Sequence, residues 1–278
     1  MSNASGVGGH TKGFGATLRT DNWWIGPAFT AGAFATWLLY YFWAAFQNVY
    51  YSAGPYVSPF YILVERSEPG ELASNHFLLP MPGLPAFIPA SPALLLGAMP
   101  GMFRMTCYYY RKAYYRAFFG TPPGCAVGPV PQADYRGETF LLIFQNLHRY
   151  TLYIAIALLP ILWYEALQSF YWPGKGAGVG VGSILLLVNA VLLSSYTFGC
   201  HAWRHLVGGR LNCFSCDGGA EASHQAWTAV SWLNGRHQEF AWASLWTILL
   251  CDVYIRLFSM GLIPDINTWE GVSKMGGH

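Results

Sequence analysis

Five apolar stretches, separated by shorter polar and Gly/Pro-rich segments, set the pattern of this chain. A membrane-spanning helix needs about 20 mostly apolar residues. The segments at about residues 24–49, 92–110, 139–162, 181–203 and 240–262 meet that need to different degrees. The first opens at Trp23-Trp24 and closes at Tyr50-Tyr51, the placement expected of an interfacial aromatic belt. The second is interrupted by Pro100, Gly101 and Arg104. The third runs into the aromatic patch Trp163, Tyr164, Phe170, Tyr171 and Trp172, and the fourth is the least interrupted. The fifth carries Asp252 and Arg256, whose spacing lets them neutralise each other on one helix face. The pattern predicts an all-α integral membrane bundle of five transmembrane helices over residues 23–262, with a tail at 1–22 and another at 263–278. No internal repeat is visible, so the signature of an inverted-repeat transporter is missing.

Composition strengthens the membrane reading. The chain is 54% hydrophobic and only 10% charged, against roughly 25% charged in soluble domains. Lipid solvates apolar faces that would aggregate in water. The net charge of +2, spread along the chain, argues against a nucleic-acid partner.

Basic residues orient the spans. Lys12 and Arg19 precede the first; Arg111, Lys112, Arg116 and Arg136 lie between the second and third; Arg204, Arg210 and Arg236 lie around the loop between the fourth and fifth. The other side has Arg66, Lys175 and Lys274. This places the N-terminus in the cytoplasm and the C-terminus outside, in a multi-pass plasma-membrane protein. The Gly/Ser-rich N-terminus has no apolar core ahead of a cleavage site, so it reads as a cytoplasmic tail ordered by a partner, not as a signal peptide. The Pro-rich segment 52–90, acidic at Glu65, Glu68 and Glu71, is expected to pack across the outer helix ends.

The candidate chemistry lies in histidines and cysteines. His201 and His205 are four apart, on one face of a helix, and can grip one metal. Cys213 and Cys216 form a CxxC, the spacing at which two thiolates chelate one ion, and Gly208-Gly209 lets the chain turn back between the pairs. Two His and two Cys suit either zinc or a Rieske-type [2Fe–2S] centre. The competing readings are a histidine bonded to a quinone or a carboxylate, and Cys200 as a small packing residue. His148 and Arg149, inside the third span, form a second site, with Gln145 and Tyr150 adding polarity; the histidine there suits a haem, a cluster or a quinone carbonyl, or a backbone carbonyl of a neighbouring helix. The run from Arg104 to Arg116 is aromatic and basic. It suits either docking of a soluble subunit or a belt of interfacial anchors. Cys125, in a Pro/Gly-rich turn, and His237, ahead of the fifth span, are further candidate ligands. The segment 222–233 is amphipathic and expected in the interface.

The runs TCYYYRKAYYRAFFG (106–120), NLHRY (146–150), CHAWRHLVGG (200–209) and NCFSC (212–216) resemble the single-polypeptide, five-helix membrane anchor of actinobacterial succinate dehydrogenase, over roughly residues 20–260. The resemblance implies one subunit of respiratory complex II, not catalytic by itself. Its implied partners are a flavoprotein, an iron–sulfur subunit, quinone (menaquinone in this class) and membrane lipids. Most anchors of this enzyme hold haem b between two helical histidines, whereas this class is associated with a Rieske-type [2Fe–2S] cluster. The resemblance leaves two ligand sets open: His201, His205, Cys213 and Cys216, which is local, or Cys107, His148, Cys200 and His237, which is deeper. His148, Tyr150, Arg104 and His237 are the quinone-binding candidates. The alternatives are haem b on His148 with His201 or His205, and a non-redox scaffold with a structural zinc.

Overall fold

A computed structural model describes residues 13–73, 91–131, 137–209 and 211–273, with backbone only at 137–142, 144 and 145. Lys12, Arg136, Arg210 and Lys274, used above for orientation, and the Gln145 side chain lie outside this description. The elements in chain order are α1 (Ile25–Gln47), the hairpin β1 (Ser52–Ala53) and β2 (Tyr56–Val57), α2 (Pro92–Thr106), α3 (Tyr108–Phe119), α4 (Gly137–Gln168), the hairpin β3 (Tyr171–Trp172) and β4 (Gly176–Ala177), α5 (Val181–Phe198), α6 (His201–Gly208), α7 (Gly218–Gly235), α8 (His237–Ser259), and the hairpin β5 (Asp265–Asn267) and β6 (Gly271–Ser273). Each hairpin is antiparallel.

Four helices among the described residues are long and apolar enough to cross a membrane: Ile25–Gln47, Asn146–Gln168, Val181–Phe198 and His237–Ser259. They correspond to the first, third, fourth and fifth predicted spans. The second behaves differently. α2 starts well, with Pro92 in its first turn, where a missing N–H costs nothing. It ends at Thr106 because Cys107 is extended (φ −64°, ψ 135°), and α3 begins afresh behind it. Fifteen residues rise only about 22 Å, short of a hydrocarbon core of about 30 Å. The predicted span 92–110 is therefore two helices meeting at a break. α5 stops sooner than the predicted 203, since Cys200 is also extended and opens α6.

The chain divides into two compact units, residues 1–39 with 104–147, and residues 40–103 with 148–278. In the smaller unit the segment ahead of α1 is held by the turn after α3. Gly15 N–H donates to Gly128 O at 3.0 Å and Gly128 N–H to Ala16 O at 2.8 Å. Thr17 Oγ1 donates to Ala126 O, and an Arg19 Nη to Cys125 O at 2.9 Å. Gly128 lies so close that an added Cβ would meet Gly13 O at 2.2 Å. Residues 13–19 are thus held by contacts within this chain.

In the larger unit the segment after α1 is core rather than a cover. Tyr51, Tyr56 and Tyr61 are buried, each with its hydroxyl bonded: Tyr51 to Glu65 O, Tyr56 to Asp265 Oδ2, Tyr61 to Ala44 O. Satisfied hydroxyls let these large rings be buried without stranding a polar atom. Tyr56 packs with Ala166, Leu186, Ala190, Cys251, Ile255 and Phe258, which joins the hairpin to α4, α5 and α8. Asp252 and Arg256 sit one turn apart on α8 as an ion pair.

Candidate functional site

Four aromatic rings from four helices stack into one cluster in the larger unit. Phe103 of α2 lies parallel to the His148 imidazole of α4, at 4.6 Å between centroids and 6° between planes. Tyr196, near the end of α5, meets Phe103 edge-on at 5.4 Å. His237, the first residue of α8, stacks on Tyr196 at 4.9 Å and 14°. Phe103, Tyr196 and His237 are buried, His237 at 2% exposure, and His148 is half-buried.

The backbone makes room for this. α5 ends at Gly199, where an added Cβ would meet Ser195 O, Leu233 O and, at 3.4 Å, His237 Nδ1. Asn234 Nδ2 donates to Gly199 O at 2.8 Å, which ties the end of α7 to the same turn. The start of α8 can therefore bring its histidine against the end of α5. The result is two imidazoles and a phenol in an apolar, aromatic setting: groups that hydrogen-bond a carbonyl and carry protons near neutral pH.

Of the other predicted quinone residues, Tyr150 is turned away from these rings. Tyr150 is two residues from His148 and projects from another side of α4, 66% exposed. Arg104 belongs to the smaller unit, where it donates to the Tyr110 hydroxyl and lies 5.5 Å from that ring.

The structure does not assemble the local metal-ligand set. His201 and His205 both fall on α6, as their spacing predicted, but His201 is exposed, and Cys213 and Cys216 are joined to each other as a disulfide. Among the described residues no three His, Cys, Asp or Glu side chains come together as a metal site. The deeper set has suitable donors, since Cys107 and Cys200 are buried cysteines outside any disulfide. Cys200 also has a structural role, because its Sγ accepts the Trp203 N–H at 3.3 Å and caps α6.

Several participants escaped the sequence reading. Phe103 and Tyr196 carry no sign of a site in the sequence; the fold reveals that they link the two histidines. His224 packs on Phe214 at 4.6 Å and stacks on Trp227 at 5.8 Å, beside the CxxC loop. Its signal was available, seven residues after Asp217 and three before Trp227 on the amphipathic α7. Asp265, buried, accepts from Tyr56, Tyr254 and Asn267 and fastens the C-terminal hairpin.

Comparison with known proteins gives a consistent result. The family model described as actinobacterial succinate dehydrogenase subunit SdhC matches residues 25–261. A solved chain from the Mycobacterium smegmatis Sdh1 complex in the apo form is 40% identical, covers 94% of each chain, and superposes with a TM-score of 0.76. A search of curated proteins finds no match. Four membrane-length helices among the described residues and a family match over most of the length agree, and the chain belongs to the SdhC family of actinobacterial succinate dehydrogenase membrane subunits.

Proposed function

We propose that this chain anchors a flavoprotein and an iron–sulfur subunit to the plasma membrane and binds the quinone, menaquinone in this class, that accepts their electrons. The observation that carries the reading is the stacked series His148, Phe103, Tyr196 and His237. Reduction of a quinone to a quinol takes up two electrons and two protons. The iron–sulfur subunit supplies the electrons. His237 and His148 are the groups on this chain suited to hydrogen-bond quinone oxygens and hand on protons. The aromatic walls keep the ring site apolar. In this reading α2 with its break serves as a fifth crossing, the N-terminus is cytoplasmic and the C-terminus external, with 1–22 and 263–278 as the flanking tails.

A Rieske-type [2Fe–2S] cluster, or a haem b, is the finer part of this proposal and rests on donor chemistry within the larger unit: His148, Cys200 and His237. When bound, a His-ligated cluster would supply a one-electron carrier of higher potential than an all-Cys cluster. Paramagnetic resonance with iron and haem analysis of the intact complex tests it, and a complex free of both in the membrane subunit rules it out.

The quinone assignment is tested separately by His148→Gln and His237→Gln in the intact complex. Succinate–quinone activity should fall at least tenfold, while succinate oxidation with a soluble dye acceptor stays at the wild-type level. Equal loss in both assays, or loss in neither, overturns the assignment.

A further inference from the structure

Among its described residues the smaller unit carries a buried cation without a carboxylate to balance it. Arg111, on α3, is 4% exposed, and its Nε has no hydrogen-bond partner. Burying a guanidinium costs several kcal/mol unless an anion and hydrogen bonds compensate it. None is at hand. Among the described side chains of this unit the cations are Arg19, Arg104, Arg111, Lys112 and Arg116, and the one carboxylate is Asp21. Asp21 is already taken, accepting from Arg19 Nε at 2.7 Å. α3 itself has the sequence YYYRKAYYRAFF, with no acid. Arg104 is engaged with the Tyr110 hydroxyl and does not lower the positive charge.

The surroundings indicate what the missing anion is. Tyr108, Phe118, Phe119 and Met105 are exposed around α3, and Lys112 is exposed beside them. Large apolar and aromatic groups mixed with cations at the end of a membrane helix mark the headgroup layer. There, an apolar apron meets acyl chains while a cation meets phosphate. A carboxylate from a soluble subunit would satisfy the charge but leave that apron without a partner. The planar guanidinium fork also matches two phosphate oxygens at once, which an ammonium cannot do.

We propose that Arg111 binds the phosphodiester of an anionic phospholipid, with Lys112 as a secondary contact. This inference depends on the membrane setting of the chain and not on the quinone assignment.

The test uses the intact succinate dehydrogenase complex, washed free of loosely held lipid and placed in phosphatidylcholine nanodiscs containing a minority of phosphatidylglycerol. Lipid that stays with the complex on re-extraction is measured by mass spectrometry. Wild type should enrich phosphatidylglycerol, and Arg111→Gln should lose roughly tenfold of that enrichment, the scale of one charge-assisted contact. Arg111→Lys, which keeps the charge and loses the fork, should fall between them. Absence of enrichment in wild type, or equal enrichment in Arg111→Gln, overturns the proposal.

Two further outcomes would also overturn it. In phosphatidylcholine alone, inorganic phosphate could raise the thermal midpoint of wild type but not of Arg111→Gln, without any phosphatidylglycerol enrichment. That result assigns the site to free phosphate. Loss of the iron–sulfur subunit from Arg111→Gln with lipid enrichment unchanged assigns Arg111 to a partner carboxylate. If Arg111→Gln does not assemble, the wild-type and Arg111→Lys enrichments still decide.

Discussion

Arg256 donates from Nε to Asp252 Oδ2 at 2.7 Å, one turn away on α8, with both side chains buried. The pair does more than neutralise itself. The Asp252 carboxylate also accepts from the Tyr40 hydroxyl at 2.6 Å and from the Ser58 hydroxyl. The guanidinium donates to Val49 O at 2.6 Å and Ala44 O at 3.0 Å, carbonyls at and just beyond the C-terminal end of α1, where a cation also opposes the helix dipole. One pair thus fastens α8 to the end of α1 and to the segment behind it.

Removing one partner should therefore be costly. Asp252→Asn or Arg256→Met leaves a buried charge or a set of buried carbonyls without compensation, and such losses typically cost about 3–5 kcal/mol. The expected result is a lower thermal midpoint of the purified complex and reduced subunit yield, with the midpoint for quinone titration unchanged in whatever complex assembles. The double variant Asp252→Asn/Arg256→Met should be less destabilised than the sum of the singles. Full additivity would show that the pair does not act as a unit.

Close approach in the larger unit gives a second prediction. A Cβ at Gly182, in the first turn of α5, would stand 2.7–2.9 Å from Tyr56 ring atoms. The Tyr56 ring cannot retreat freely, because its hydroxyl is held by Asp265 at 2.8 Å. Gly182→Ala should then destabilise by about 1–3 kcal/mol, the usual range for overpacking. Thermal unfolding of the complex measures it, and Gly182→Ala combined with Tyr56→Leu should recover part of the loss.

Much of the fold was legible because a bilayer imposes a simple rule. Long apolar runs had to become helices, and α1, α4, α5 and α8 lie where the runs lie. The break at Cys107 was less legible. The Pro100, Gly101 and Arg104 interruptions were visible, but the helix passes through all three and stops at a cysteine, a residue with no breaker signature. The segment from Tyr51 to Val64 read as a loop because its Pro and Ser content hides three tyrosines whose hydroxyl partners are remote in sequence. At the candidate site, His148 and His237 stood out as ionisable groups. Their link through Phe103 and Tyr196 is a property of helix packing and has no local sequence sign. Spacing placed His201 and His205 on one helix, but it said nothing about whether Cys213 and Cys216 would face them or each other.

The β3–β4 and β5–β6 hairpins carry a pH dependence. Lys175 forms an ion pair with Glu270, and its Nζ lies 3.4 Å from the Trp172 ring centroid. Trp172 meets Trp269 edge-on at 5.7 Å. The hydrogen bond from Lys175 holds the Glu270 carboxyl below its ordinary value. A depressed carboxyl contributes stability that is fully present above the ordinary carboxylate value and is lost as pH falls through the folded-state value. Acidification should therefore raise hydrogen exchange at residues 265–273 first. The effect should be small and weakened by salt, as for any exposed pair. Glu270→Gln should show the faster exchange already at neutral pH, with no further acid response from this group.

The CxxC loop gives the prediction that separates the two ligand sets. Cys213 and Cys216 are bonded to each other, Cys216 is exposed, and the α6 histidines are not gathered around them. Cys107 and Cys200 are buried and take no part in a disulfide. Metal held by thiolate requires a free, deprotonated sulfur. Replacing both Cys213 and Cys216 with Ser should leave the iron and haem content of the purified complex, and its succinate–quinone activity, at wild-type levels. Cys200→Ser should behave differently. Serine still caps α6, so the helix is retained, but a sulfur donor is lost from the turn beside His237. Iron content that falls in Cys200→Ser and not in the double variant would place any metal centre among the helices. The reverse result would place it in the loop, and would require the disulfide to open when metal binds.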